Sequence, residues 1–394
     1  MNGRYIQYGA SQAELQHYHE LVKRHGSPLL VVYREKLLQQ LELLRSQLPG
    51  VAHYYAIKAF PYEDVLKILA DAGANFDVAS AGEIEMLQQL NISGRRTVHT
   101  HPIKKDSEIR AALRGGSTTF VIDNIEELRK LLPYRQRVGV LLRVSFRSES
   151  AKVDLSRKFG CAPAQVLDIL EQASAIGVHI RGLSFHVGSQ SLTPDAHVSA
   201  ITHCIELIDK AEQQYGRPMN VLDIGGGFPV DYAATGIDYD AYFEPIRKTL
   251  ASSLPDHVEV IAEPGRFLVA PAVTGIATVA GTARRGDYPW YYLDDGIYGS
   301  YSGQLFDHAA LLVDLDGVNG RVTAAIPVFP DGVDEGVLQL AQFRRVRDGA
   351  GVVRPQLGSQ RSQVRTGLQV VRFCAALQSQ FFGVQRELCC LPAA

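Results

Sequence analysis

The sequence predicts an α/β chain: a (β/α)8 barrel followed by a second, β-rich domain. Three observations predict it. Between about residues 50 and 265, short β-rich runs alternate with longer amphipathic stretches. The side chains able to do chemistry (Lys58, Asp77, Arg143, His186 and Glu263, with the glycines at 225–227) fall at the C-terminal ends of those runs. Barrel proteins assemble their sites at that end. From about Val273 the alternation stops and turn-rich, β-prone segments follow.

In chain order the strand candidates are His53–Lys58, Asn75–Ser80, Thr97–His101, Thr118–Asp123, Val138–Val144, Ile180–Gly188, Met219–Gly227 and Val258–Gly265. Most are rich in Val, Ile, Leu, Phe or Tyr without strict polar alternation, as strands buried on both faces should be. The helix candidates between them are Tyr62–Ala72, Ala81–Leu90, Ile125–Leu132, Pro163–Ile176, Pro194–Tyr215 and Tyr239–Leu250. Ser80 with Glu83 has capping-box spacing. Asp123-Asn124 before Glu126-Glu127 puts acids in a first turn, where the helix dipole favours them. Beyond the barrel, Gly275–Gly281, Trp290–Asp294 and Ile297–Phe306 read as β-prone. The expected domains are therefore a barrel over 29–272 and a β domain from 1–28 with 273–394, its tail atypical from about residue 309.

A length of 394 residues asks for two or three domains, since one core rarely grows past about 250–300 residues. With 46% hydrophobic and 21% charged residues the composition is that of a globular chain. A net charge of −2 offers no polycationic surface and argues against a nucleic-acid partner. No apolar run approaches the roughly 20 residues that span a bilayer, and the first residues lack the apolar core of a secretory signal. Cys161, Cys204, Cys374, Cys389 and Cys390 are odd in number and show no CxxC spacing. That argues against a disulfide framework or a structural zinc site, and for a reducing cytoplasm. His99 and His101 flank Thr100 on what reads as one strand face, but no acidic or cysteine cluster joins them, so no metal is expected.

Lys58 closes the run Tyr54-Tyr55-Ala56-Ile57-Lys58. A partly desolvated amine there, its pKa lowered, would be a Schiff-base nucleophile, whereas alone it would merely snorkel to solvent. Gly225-Gly226-Gly227 follows an apolar run and lets backbone N–H groups approach an anion closely, as phosphate sites require. In Ala262-Glu263-Pro264-Gly265-Arg266 the guanidinium suits phosphate, and the carboxyl could hold a proton on a heteroaromatic nitrogen. His186, in Ser184-Phe185-His186-Val187-Gly188-Ser189, could lie flat on an aromatic ring. Each fragment alone has a structural explanation. Together they form a pyridoxal 5′-phosphate (PLP) site: lysine, stacking group, phosphate loop, pyridinium acid and phosphate arginine.

These segments, with Phe76-Asp77-Val78-Ala79-Ser80 and Asp294-Asp295-Gly296-Ile297-Tyr298-Gly299, resemble the fold-type III PLP decarboxylases of the ornithine/lysine/diaminopimelate/arginine group, over roughly residues 25–308. The resemblance implies an alanine-racemase-like PLP barrel and makes Lys58 the cofactor lysine and His186 the ring-stacking residue. It places Ser189, Gly226, Gly227 and Arg266 on the phosphate, with Gly265 beside them, and Glu263 on the pyridine nitrogen. Asp77, Glu83 and Arg143 match supporting positions. Asp307, in Phe306-Asp307-His308, matches the aspartate that receives a substrate's distal amine. A homodimer is also implied.

The implied reaction is decarboxylation of a basic L-amino acid in polyamine biosynthesis. Phe185-His186-Val187 and Gly227-Phe228-Pro229 look most like the ornithine branch. Diaminopimelate or a siderophore-pathway amino acid is an alternative substrate, and a PLP racemase would need a second base that no motif identifies. The family's Gly-Pro-x-Cys-Asp/Glu-x-x-Asp and Gly-Ala-Tyr segments, which complete the site across a dimer, are missing. From Val337 to Ala394 the only acids are Asp348 and Glu387, against eight arginines and no lysine. The likeness ends abruptly after His308, favouring a shifted reading frame from about Ala309 over divergence. A catalytically impaired PLP binder acting through protein partners, as antizyme-inhibitor-like proteins do, is the competing function.

Overall fold

The computed structural model describes residues 12–146, 151–153, 156, 158–232, 236–285, 288–296, 299–303, 311–315, 321–325, 342–346, 370–374 and 388–391. Its contacts divide the chain into two units, residues 34–230 with 237–269, and residues 1–33 with 231–236 and 270–394.

The chain begins α1 (Gln12–His25), β1 (Leu29–Tyr33), α2 (Arg34–Gln47), β2 (Ala52–Ala56), α3 (Glu63–Asp71), β3 (Asn75–Val78) and α4 (Ala81–Gln89). It continues β4 (Thr97–His99), α5 (Asp106–Gly115), β5 (Thr119–Ile122), α6 (Ile125–Leu131), β6 (Gly139–Val144), β7 (Ala151–Val153) and α7 (Val166–Ala175). Then come β8 (Ile180–Phe185), β9 (Ser189–Ser191), α8 (Asp195–Tyr215), β10 (Val221–Asp223), α9 (Tyr239–Ser253), β11 (Glu259–Ala262) and α10 (Arg266–Val269).

Strands β2, β3, β4, β5, β6, β8, β10 and β11 pair in that order, all parallel, and β11 returns to β2 through Ile261–Ala52 and Ala262–His53. The fold is a closed (β/α)8 barrel, and each of the eight strand candidates contributes one of its strands. Val98, Val121, Leu141, Val221 and Ile261 form one cluster with Ala52 and Tyr54. Residues from opposite sides of a ring can share a cluster only inside it, so these fill the barrel. Phe76, Val78, Phe120, Ile122 and Leu142, of opposite parity, are buried on the outer face. Burial on both faces is why the strands read as apolar runs rather than alternating ones.

Strand alternation carries the parity forward. Two residues beyond Tyr54, Val98, Val121, Leu141, Val221 and Ile261 stand Ala56, Thr100, Asp123, Arg143, Asp223 and Glu263, with Asp77 paired to Ala56. The C-terminal end of the barrel thus carries a ring of polar side chains above an apolar plug.

The helix starts follow the sequence signals, with one adjustment. Ser80 accepts the Glu83 N–H at 3.4 Å, but the Glu83 carboxylate reaches back to the N–H of Ala79 rather than of Ser80. Asn124 caps α6 by accepting the Glu127 N–H at 3.0 Å. Strand β4 stops at His99, so His99 and His101 do not share a strand face. His99 is buried against the Phe120 ring, and His101 turns back onto the Ile103 carbonyl at 2.6 Å. Among the described residues no helix is long and apolar enough to cross a membrane.

The other unit adds β12 (Val273–Arg285), β13 (Tyr288–Leu293), β14 (Leu311–Leu315), β15 (Arg321–Ala325), β16 (Gln342–Val346), β17 (Val370–Cys374) and β18 (Leu388–Leu391). Its sheet runs β16-β15-β14-β17-β12-β1-β18, antiparallel except where β18 joins β1, with β13 also on β12. The apolar run of β1 therefore pairs in this sheet and not in the barrel. Residues 299–302, within the β-prone stretch Ile297–Phe306, form a turn.

Candidate active site

The turn Ile57–Ala59 at the end of β2 carries Lys58 out of the strand, anchored by the buried Tyr55 hydroxyl donating to the Phe60 carbonyl at 3.1 Å. Lys58 Nζ donates to Asp77 Oδ2 at 2.7 Å. The lysine side chain is 49% exposed whereas Asp77 is 1% exposed, so the carboxylate is the fixed partner. Its other oxygen, Oδ1, accepts from the buried Thr100 hydroxyl.

The amine is not the pKa-lowered nucleophile the sequence suggested. Desolvation pulls its pKa down, but Asp77, Glu263 and Glu83 together outweigh that, and Lys58 stands above the ordinary lysine value. The reason is that the nearby carboxylates come from other strands and are invisible in the local run. Lys58 is therefore an ammonium whose proton has one adjacent acceptor, Asp77 Oδ2.

After β10 the chain turns through Gly225 (φ +65°) and Gly227 (φ +94°), which lie in the left-handed region that favours glycine. Side chains are excluded as well. A Cβ on Gly226 would strike the Glu263 carbonyl, and one on Gly227 the Gly188 carbonyl. The loop's carbonyls are taken: Gly225 O accepts from Glu263 N at 2.7 Å and Gly227 O from Ser191 N at 2.9 Å. No hydrogen bond among the described residues uses the N–H of Gly226 or Gly227. Gly226 is nevertheless buried. Such groups call for a partner, and a phosphate supplies one.

Glu263, 8% exposed at the end of β11, is raised well above the ordinary carboxyl range by burial first and then by Asp223. Asp223, fully buried on β10, is itself raised to about 6 by burial. Its Oδ1 accepts from Gly225 N at 2.9 Å, while Oδ2 has no N–H or hydroxyl donor. Burial raises both carboxyls and each charge disfavours the other, with Glu263 the more strongly raised member. A protonated acid facing the barrel's C-terminal ring can place a proton on a heteroaromatic nitrogen.

His186 follows β8. Its Nδ1 accepts from Gly188 N at 3.0 Å, leaving the proton on Nε2. Burial, then the charges of Arg143 and Lys58, push its pKa well below the usual value, so the ring is neutral. Its Nε2 lies 3.4 Å from the Cβ position of Gly226, which puts the imidazole beside the glycine loop. Arg143 acts electrostatically on both His186 and Asp223, and its guanidinium lies 5.3 Å from the Phe159 ring centroid. Gly265 packs on the Cβ atoms of Ala56 and Ala59, the neighbours of Lys58. Arg266, half-buried, opens α10 one residue later. Ser189 opens β9 next to Gly188, whose carbonyl abuts Gly227.

Lys58, Asp77, Arg143, His186, Gly226, Gly227, Glu263 and Gly265 thus interlock at one end of the barrel, with Arg266 next to Gly265 and Ser189 next to Gly188, whose carbonyl abuts Gly227. Asp307 lies outside the described residues. Sequence reading missed Thr100 and the pairing of Asp223 with Glu263. Parity would have found both, since each shares the inward register of its strand. Among the described residues no cluster of His, Cys, Asp or Glu could hold a metal.

Residues 34–270 match the model of the pyridoxal-dependent decarboxylases, pyridoxal binding domain. The lysine/ornithine decarboxylase of Selenomonas ruminantium is 39% identical over 289 residues, 73% of either chain. The chloroplastic ornithine decarboxylase of Nicotiana glauca is 32% identical over 287 residues, 72% of this chain and 65% of that one. The crystal structure of the Vibrio vulnificus lysine/ornithine decarboxylase with cadaverine superposes with a TM-score of 0.80 at 37% identity, covering 94% of this chain and 95% of that one.

Replacing Asp77 with Asn should lower the pKa of Lys58. In cofactor-free protein, Lys58 should then react with an amine-acylating reagent at lower pH than in wild type, as read by peptide mass mapping. The sign for stability follows. A folded pKa raised above the unfolded lysine value contributes stability that is full below that unfolded value and is lost as pH climbs through the folded one. Wild type should lose thermal stability across that alkaline window, and Asp77→Asn should lose less. Identical reactivity profiles in the two proteins would show that Asp77 does not set the lysine's charge.

Proposed function

The chain belongs to the pyridoxal-dependent decarboxylases, and from that premise we propose that it removes CO2 from ornithine or lysine with PLP carried on Lys58. One observation carries the reading. At the barrel's C-terminal end Glu263, its pKa raised well above the ordinary carboxyl range, stands beside a glycine loop whose amides at Gly226 and Gly227 have no partner among the described residues. That pairs an anion site with an acid for a ring nitrogen. The motif likeness to the ornithine branch and the names of the Selenomonas and Vibrio relatives support the substrate class. The family resemblance supports a homodimer, and the odd, unpatterned cysteines support a reducing cytoplasm as its place.

Bound PLP supplies an electron sink for the pair released as CO2 leaves the α-carbon. The remaining work belongs to the protein. Gly226 and Gly227 amides, the Ser189 hydroxyl and the Arg266 guanidinium bind phosphate. The neutral imidazole of His186 would hold the cofactor ring without adding a competing positive charge. Glu263 holds a proton at the pyridine nitrogen, and Asp223 keeps that acid protonated. Asp77 orients Lys58 and would accept the proton that Nζ must shed to act as a nucleophile. Arg143 offsets the carboxylates around this centre. Asp307 receives the substrate's distal amine.

A second reading rests on the tail. The family's cysteine-acid and Gly-Ala-Tyr segments are missing, and Cys374 is followed by alanine. On this reading the barrel binds cofactor while turnover is impaired.

Borohydride should fix PLP to the peptide bearing Lys58, and Lys58→Ala should abolish that attachment. Fixation elsewhere, or undiminished fixation in the variant, would sink the assignment. Glu263→Gln should reduce turnover far more than it weakens PLP retention, because phosphate contacts survive while the ring acid is gone. A variant with near-wild-type turnover would make Glu263 structural. Replacing the residues after 308 with the product of an alternate reading frame should raise CO2 release from L-ornithine and L-lysine by about 10²–10⁴-fold, the usual contribution of a positioned acid. Turnover by the original chain within the ordinary range of roughly 1–10³ per second would overturn the tail argument.

A further inference from the structure

Helix α8 carries His197, a residue outside the set identified from the sequence. It is fully buried, and its ring stacks on Phe228 at 5.0 Å between centroids and an 11° interplanar angle. Its Nε2 lies 3.2 Å from the carbonyl oxygen of Gly226. Nδ1 is 3.5 Å from the Tyr242 hydroxyl on α9. Desolvation lowers the imidazole pKa to about 4, so the ring is neutral near neutral pH. A hydroxyl on Nδ1 and a carbonyl on Nε2 define one tautomer, with the proton on Nε2 donated to Gly226.

The geometry of that bond reaches the other side of the peptide. A trans peptide is planar and sets its C=O and the following N–H on opposite edges. Holding the Gly226 carbonyl toward α8 therefore turns the Gly227 N–H away from α8. The same logic holds one residue earlier, where Glu263 N fixes the Gly225 carbonyl at 2.7 Å and so turns the Gly226 N–H. The backbone fixes Gly225 and Gly227. Of the three carbonyls, that of Gly226 is the one held by a side chain. The Gly226–Gly227 peptide lies between two glycines, the second at φ +94°, so its flip meets no Cβ and costs little backbone strain.

We propose that His197 is a positioning residue that sets the Gly226–Gly227 peptide in its anion-binding orientation, so that the loop selects a phosphorylated cofactor. The inference rests on the PLP reading for the identity of the ligand, but not for the existence of an anion site. Flanking residues brace the same loop. The Gln190 side chain bonds both the N–H (2.7 Å) and the C=O (3.0 Å) of Val230, and Ser191 N holds Gly227. Neither touches the Gly226 peptide.

The test compares wild type, His197→Phe and His197→Gln. Phenylalanine keeps the stack on Phe228 but removes the donor, and the glutamine amide restores a donor at the same reach. Three probes are titrated: PLP, pyridoxal without phosphate, and inorganic phosphate on cofactor-free protein. Thermal midpoints of the cofactor-free proteins report on folding. His197→Phe should weaken PLP and inorganic phosphate by about tenfold each, the scale of one buried hydrogen bond lost, while pyridoxal changes less than about twofold. His197→Gln should recover most of the PLP-to-pyridoxal preference. Unchanged phosphate affinity in His197→Phe overturns the proposal while leaving the PLP reading intact. Equal losses of PLP and pyridoxal with a lowered thermal midpoint also overturn it, as a packing role. A wild type that binds neither PLP nor inorganic phosphate defeats both readings.

Discussion

The pairing of β11 with β2 is the constraint on which the rest depends. Ile261 and Ala262 lie beside Ala52 and His53 although some two hundred residues separate them in the chain. Just past that seam the Ala56 N–H donates to the Pro264 carbonyl at 2.9 Å. The lysine that ends one strand and the acid that ends the other are thereby fixed on neighbouring strands, and Gly265 closes against Ala56 and Ala59. An open sheet with the same strands would leave Lys58 and Glu263 on opposite edges. Closure also aligns the parity of every strand, and that alignment turns single polar residues on six strands into one ring.

That ring is unbalanced in charge, and the imbalance explains its protonation. Asp77, Asp123, Asp223 and Glu263 stand in it with Arg143, beside Lys58 and the Glu83 of α4. Burial makes four ionised carboxylates in such a space costly. The protein answers by division. Asp77 pairs with Lys58, which rises in pKa as a result, whereas burial and their mutual proximity raise Asp223 and, more strongly, Glu263. The acid that the chemistry needs protonated is thus kept so by a neighbour whose other oxygen anchors the glycine loop through Gly225. Asp223 thus serves both, raising the acid electrostatically and holding the glycine loop by a hydrogen bond.

How much of this was legible in the sequence follows from where the determinants sit. The eight strands were legible because burial on both faces writes itself as apolar runs. Lys58, Glu263, His186 and the glycines were legible because strand ends and turn residues are local signals. The charge of Lys58 was not, since it comes from Asp77 and Glu263 on other strands. The place of β1 was not either, because an apolar five-residue strand carries no mark of which sheet it will join. His197 escaped for the opposite reason. A histidine among the core positions of a long helix looks like any buried residue until the carbonyl it faces is known.

The division of labour along the chain bears on what the tail can change. Every residue assigned to the phosphate, the ring and the cofactor lysine lies between 58 and 266, inside one compact unit built from residues 34–230 and 237–269. The residues that resemblance assigns to the substrate's distal amine and to proton return, Asp307 and the missing cysteine segment, belong after residue 300. Cofactor retention and turnover therefore depend on different stretches of sequence. A chain with an altered tail keeps the hydrogen bonds that create the anion site, because none of them comes from beyond Glu263. Binding without full catalysis is then the natural result of changing one stretch and not the other, with no need to suppose that the barrel itself has evolved away from its chemistry.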